Sequence, residues 1–234
     1  MALSDWTAGL IFVALAYLIS WTIWWGLASW APRNDWLQKL SFSLGTCGPA
    51  AAAIIMRLWV TKEGFSEAGL SLKASWFMYG LAIVLGYLLN RLALFFFSID
   101  TQKIEVHWPR LAGLALPVFL LLALGEELGW RSYLLTKWLG TGKAAAYFCV
   151  GIVWALWHLP LILQGKIAAG KVKFAEPKTM ALYAFYVVLS SVVLGEAYFL
   201  SGRCLAVPVF IHALANAFPY FPATRSYPKV GRFQ

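Results

Sequence analysis

Charge is scarce in this sequence. Only 12% of its 234 residues are charged, 61% are hydrophobic, and mean hydropathy is +0.71. Soluble domains carry about a quarter charged residues, so that class is excluded and an integral membrane protein is expected. The length suggests a single domain, because a membrane bundle of this size leaves little room for a soluble module. Cysteine is scarcer still. Cys47, Cys149 and Cys204 are far apart, form no C-x-x-C and are odd in number, which excludes a disulfide framework. Each is expected to be a buried free thiol acting as a small hydrophobe. No basic n-region precedes the first apolar run, where Asp5 is the only charge. That run, Trp6 to Trp30, is too long for a signal-peptide core and is expected to be a retained span. Repeats and low-complexity tracts are missing. So is the alternation, in strands of about 10 residues, that a membrane β-barrel would need. The net charge of +9 forms no long basic stretch, so nucleic acid is excluded as a partner.

What is present is a series of apolar segments: 7–30, 41–60, 76–98, 111–138, 144–163, 180–200 and 204–220. A span needs about 20 apolar residues, so the pattern predicts an all-α, polytopic transmembrane bundle of about seven spans. Only SGR separates the last two, which predicts antiparallel neighbours. Lysine and arginine divide unequally between the two sides. Arg57, Lys62, Lys73, Lys137, Lys143 and Arg203 fall on one. Eleven others, among them Lys166, Lys171, Lys173 and Lys178, fall on the second. The positive-inside rule then places the N-terminus outside and the C-terminus in the cytoplasm. Tryptophans such as Trp21, Trp59, Trp76 and Trp108 are assigned to interfacial belts.

Against this background the stretch GEELGWRSYLL, residues 125–135, stands out. An ionised side chain at mid-bilayer costs about 2.5–3.5 kcal/mol, yet Glu126, Glu127 and Arg131 lie within one apolar run. Glu127 and Arg131 are four apart with the acid first, the favourable order for an ion pair. Glu126 points about 100° away and has no mate on its own helix. Gly125 and Gly129 share a face and would admit a second helix closely.

Two further segments carry polar groups. VWALWHLPLIL, residues 153–163, holds His158 one turn after Trp154 and just before the helix-disturbing Pro160. IHALANAFPYF, residues 211–221, holds His212 and Asn216 on one face. With about 1.5 Å rise per residue, Glu126 and His212 fall near their segment midpoints. His158 lies about 7 Å past its own, toward the inferred cytoplasmic side. A glutamate, two histidines and an asparagine in one layer can poise a water as nucleophile or bind a metal. Glu196 is expected to snorkel or to pair with Arg203, Arg91 to snorkel, and His107 to be solvated.

Together the three patterns resemble the CPBP family of intramembrane proteases, which includes CAAX prenyl endopeptidases of type II and bacteriocin-processing, Abi-like proteins. That family's order is E-E-x-x-x-R, then aromatic-x-x-x-H, then H-x-x-x-N. Here it reads Glu126-Glu127…Arg131, Trp154…His158 and His212…Asn216. Trp154 stands where Phe is commoner, and Ser132 follows Arg131 where Gly is frequent. The resemblance divides the chain into N-terminal transmembrane helices (1–109), a catalytic core (110–220) and a short tail (221–234).

It implies that Glu126 activates water, that His158 and His212 hold that water, and that Asn216 stabilises the oxyanion. Glu127, Arg131 and Trp154 would support them. Where a divalent metal such as zinc is used, Glu126, His158 and His212 would be its ligands. No H-E-x-x-H is present, and a metal-free mechanism is the other option. The implied partners are membrane lipid and a membrane-anchored protein or peptide, in a bacterial or archaeal cell membrane. Two other functions compete: a catalytically silent immunity or scaffold protein of the same fold, and a haem-binding or ion-conducting protein using His158 and His212. Access is expected through a polar cavity on the cytoplasmic side, with residues 164–178 at its rim.

Overall fold

The structure is a computed structural model that describes residues 3–30, 35–97, 116–164 and 176–217. Among these residues every regular element is helical. The first span is α1 (Asp5–Trp30). The second is broken into α2 (Asp35–Thr46), α3 (Gly48–Ile55) and a π-helical turn, Met56–Val60. Its break falls at Cys47, ahead of Gly48 and Pro49, and Pro49 supports the first turn of the new helix. α4 (Trp76–Phe96) starts where Ser75 Oγ accepts the Met78 N–H at 3.3 Å, an N-cap. α5 (Leu116–Gly129) runs on through a π-helical stretch, Trp130–Leu135, into a last turn, Thr136–Trp138. Then come α6 (Lys143–Trp157), α7 (Leu159–Leu163), α8 (Pro177–Leu200) and α9 (Ala206–Ala217).

Five described helical stretches are long and apolar enough to cross a membrane: Asp5–Gly26, Trp36–Val60, Trp76–Phe96, Lys143–Leu163 and Pro177–Leu200. α5 with its extension and the shorter apolar α9 complete the bundle; they carry the glutamate pair with Arg131 and the His212–Asn216 pair, while Trp154 and His158 are on the Lys143–Leu163 stretch. Large apolar side chains such as Leu18, Phe77, Phe95 and Leu121 face outward. A surface of that kind suits lipid rather than water. The protein is therefore an integral membrane helix bundle. Residues 98–115, 165–175 and 218–234 are outside the described set, and with them His107, Lys166, Lys171, Lys173 and most of the expected rim.

Close helix packing depends on glycines. A methyl group at Gly129 would lie 2.5 Å from Pro49 Cβ and 2.7 Å from the Pro49 carbonyl oxygen. One at Gly125 would lie 3.2 Å from Cys47 Sγ. The small-residue face of α5 thus receives α3, as the spacing predicts. At Gly86 a methyl would meet Leu214 and the Ile211 carbonyl, so α4 lies against α9. α9 packs chiefly on α4 and α5, and less on α8, its neighbour across the SGR turn. Gly129→Ala is expected to lower stability by about 1–3 kcal/mol, as overpacking does. Thermal unfolding in detergent, followed by circular dichroism, checks this.

One end of the bundle is tied by charge. Lys137 pairs with Asp5 at 3.2 Å and with Glu63 at 2.6 Å, and Arg57 pairs with Glu63 at 2.7 Å. The start of α1, the link after Val60 and the end of the α5 segment therefore meet on one side, as alternating passes require. Arg57, counted from sequence among the cations of one side, does not reach out to that surface. It is buried, and its guanidinium donates to the Ser132 carbonyl at 2.8 Å and to the Gly64 carbonyl at 3.1 Å. Ser132 in turn donates to the Ala68 carbonyl at 2.8 Å. Glu196 pairs with Lys143 at 2.9 Å and accepts from Tyr147 at 2.8 Å, not from Arg203. Lys143 begins the next helix and comes within reach of α8, a long-range contact that sequence spacing hides. Of the cysteines, only Cys204 is buried. Cys149 is half-buried and Cys47 is exposed at the helix break.

Candidate functional site

The site is built on α5. Its helix changes from α to π geometry at Trp130, three residues after Glu127. π-turns inside α-helices occur frequently at functional sites. Across that change Arg131 still reaches Glu127: Nη1 to Oε1 is 3.0 Å, with both side chains fully buried. The same oxygen lies 2.7 Å from His212 Nδ1 on α9. A carboxylate only accepts, so Nδ1 carries the hydrogen, and Nε2 is the nitrogen left for other work.

Glu126 turns the other way, as the 100° step dictates, and finds its partner on α6. Trp154 Nε1–H donates to Glu126 Oε2 at 2.7 Å. The Arg131 guanidinium carbon lies 4.4 Å from the centre of the Trp154 ring, a cation–π contact in a desolvated setting. The His212 ring stands edge-on to the same indole at 5.3 Å.

His158 sits at the joint between α6 and α7. Pro160 occupies the first turn of α7, so the chain must restart its helix there. The freed geometry lets His158 Nδ1 lie 2.8 Å from the Trp154 carbonyl. The carbonyl accepts only, so here too Nε2 is the nitrogen left over. The His158 ring packs at 4.8 Å from Trp157 and 5.6 Å from Tyr183 on α8.

Glu126, Glu127, Arg131, Trp154, His158 and His212 therefore form one linked cluster inside the bundle. Glu126, Trp154 and His212 are buried, and His158 is half-buried. Asn216 is one turn beyond His212 and half-buried. Among the described residues it takes no part in the hydrogen bonds of the cluster. Asn90, on α4, is buried and donates to the Ala215 carbonyl at 3.1 Å, which fastens α4 to the α9 helix. Arg91 beside it is exposed, as snorkelling requires. Glu127 Oε2 and Arg131 Nε and Nη2 are buried with no protein partner. Groups of that kind are normally satisfied by water, the co-substrate of any hydrolysis.

Among the described residues no three His, Cys, Asp or Glu side chains converge as a metal-binding group. One Glu126 oxygen is held by the indole, and both Nδ1 atoms are engaged. Glu126, His158 and His212 do not converge as a ligand triad among the described residues. A cavity lined by Ser66, Glu67, Ser71, Lys73 and Arg203 lies between the link after Val60 and the turn before α9 and includes none of the site residues.

Three relations escaped the sequence. Glu127 anchors His212 as well as Arg131, Trp154 contributes its N–H as well as its ring, and Tyr183 flanks His158. Only the second left a signal, in Trp154 standing where the pattern usually has Phe.

Residues 108–218 match the family model described as Type II CAAX prenyl endopeptidase Rce1-like. The matched stretch contains all three polar motifs. No curated protein matches the chain.

Proposed function

We propose that this integral membrane protein, whose residues 108–218 match the Rce1-like family of type II CAAX prenyl endopeptidases, is an intramembrane endopeptidase in which Glu126 activates water. The observation that carries the proposal is the cluster itself. A buried carboxylate with one oxygen engaged has Oε1 left to act as base, near two histidines each fixed to offer Nε2.

In this mechanism Glu126 Oε1 removes a proton from water. The water oxygen bonds to the peptide carbonyl carbon, and the carbonyl oxygen becomes an oxyanion. Asn216 donates to that oxyanion, as preorganised donors do in acyl transfer. His158 and His212 orient the water. Glu126 then passes its proton to the departing nitrogen as the C–N bond breaks. Glu127 and Arg131 hold His212 and the indole in place.

The substrate is a membrane-anchored protein or peptide of CAAX or leader-peptide type, and lipid is the other partner. The N-terminus lies outside and the C-terminus in the cytoplasm of a bacterial or archaeal cell. The substrate enters from the cytoplasmic side, toward which His158 leans, past the basic link 164–178. Neutralising Lys166, Lys171 and Lys173 together is expected to raise KM with kcat little changed. An unchanged KM counts against this route. Comparing the membrane proteomes of cells carrying wild type and Glu126→Ala tests the function. Peptides trimmed only by wild type support it, and identical proteomes contradict it.

The haem alternative fares worse. A porphyrin between His158 and His212 would need the space of the Trp154 ring, which lies 5.8 and 5.3 Å from the two imidazoles. The intact trio of motifs argues against a silent immunity or scaffold protein.

A further inference from the structure

Trp154 touches four other members of the cluster, all but Glu127. Its N–H meets Glu126, its ring face meets Arg131, its edge contact is with His212, and its carbonyl holds His158. Three of those contacts need only an aromatic ring or a backbone. The fourth, to Glu126 Oε2 at 2.7 Å, needs an indole N–H and is short for a nitrogen donor, as charge-assisted bonds are. The indole is buried and bounded by Arg131, His158 and His212, so it has little freedom to swing away.

We infer that Trp154 is a positioning residue: its indole N–H pins Glu126 Oε2 and so assigns Oε1 as the oxygen that takes the proton from water. This rests on the proteolytic function proposed above. A carboxylate free to rotate would present either oxygen in many directions. One fixed oxygen leaves the other at a defined place, which is what positioned catalysis requires. An aromatic ring without the N–H would preserve the packing and lose this assignment. Trp154 is thus predicted to affect turnover rather than substrate capture.

The test separates the N–H from the ring. Trp154 is replaced by 3-benzothienylalanine, which keeps the bicyclic shape but has sulfur in place of N–H, and separately by Phe. Cleavage of a membrane-anchored peptide is measured in proteoliposomes. Loss of one hydrogen bond to a charged group predicts a fall in kcat of roughly 10- to 100-fold with KM unchanged. In parallel the protein is labelled with ¹⁵N at its indoles. The Trp154 resonance is assigned by its loss in Trp154→Phe, and it is expected to move upfield in Glu126→Ala. An indole resonance that Glu126→Ala does not move overturns the inference, whether or not the protein cleaves peptides. So does a benzothienyl variant with wild-type kcat. Failure of the protease reading shows separately, as a Glu126→Gln variant that cleaves as well as wild type.

Discussion

Glu126→Gln abolishes cleavage while the bundle stays folded. The amide oxygen of Gln can still accept the Trp154 N–H, so the buried hydrogen bond seen at 2.7 Å survives in weaker form. The volume is unchanged, and Glu127 remains to neutralise Arg131. Only the ability to take a proton from water is lost. Positioned general bases contribute about 10²- to 10⁴-fold, so turnover should fall at least that far. Unfolding temperature in detergent should stay close to wild type. Near-normal turnover in this variant would mean that Glu126 is not the base.

Glu127→Gln gives the opposite balance. Glu127 Oε1 receives both Arg131 and His212, at 3.0 and 2.7 Å, with no exposure of the carboxylate or the guanidinium. Removing its charge strands a cation where water is scarce. Breaking a buried pair in this way costs about 3–5 kcal/mol, a large part of the stability of a typical fold. The variant should express poorly and unfold earlier. What folds should turn over slowly as well, because His212 loses the acceptor that fixes its ring. The comparison between the two neighbouring glutamates is the informative one. Position 126 governs chemistry with little effect on stability, and position 127 governs both. A Glu127→Gln protein as stable as wild type would remove the buried ion pair from this account.

The sequence carries these two roles further than it carries their partners. Helical spacing alone separates Glu126 from Glu127 and pairs the latter with Arg131. The Gly125–Gly129 face announces a close helix without saying which one. α3 fills it because the break at Gly48 and Pro49 turns that helix onto α5. Depth counting brings Glu126, His158 and His212 to one layer, but not their contacts. Which atom meets which depends on the rotation of α6 and α9 about their axes, and near-uniform apolarity leaves that rotation unwritten. Arg57 shows the same limit. It reads only as one more cation near the end of segment 41–60, because the π-turn of Met56–Val60 cannot be seen in composition. Its burial depends on Ser132, which lies 75 positions away. Lys143 reads as the last residue of a link before segment 144–163, and its bond to Glu196 spans 53 positions.

The most direct test of the central claim is hydrolysis in isotopic water. Purified protein is reconstituted in liposomes with a lipid-anchored peptide ending in a CAAX sequence, in water enriched in ¹⁸O. The products are weighed by mass spectrometry. The account predicts that wild type yields a shortened peptide with one ¹⁸O in its new carboxylate, and that Glu126→Gln yields none above background. Equal cleavage by the two proteins, or no cleavage of any membrane-anchored peptide by a folded wild type, would contradict it.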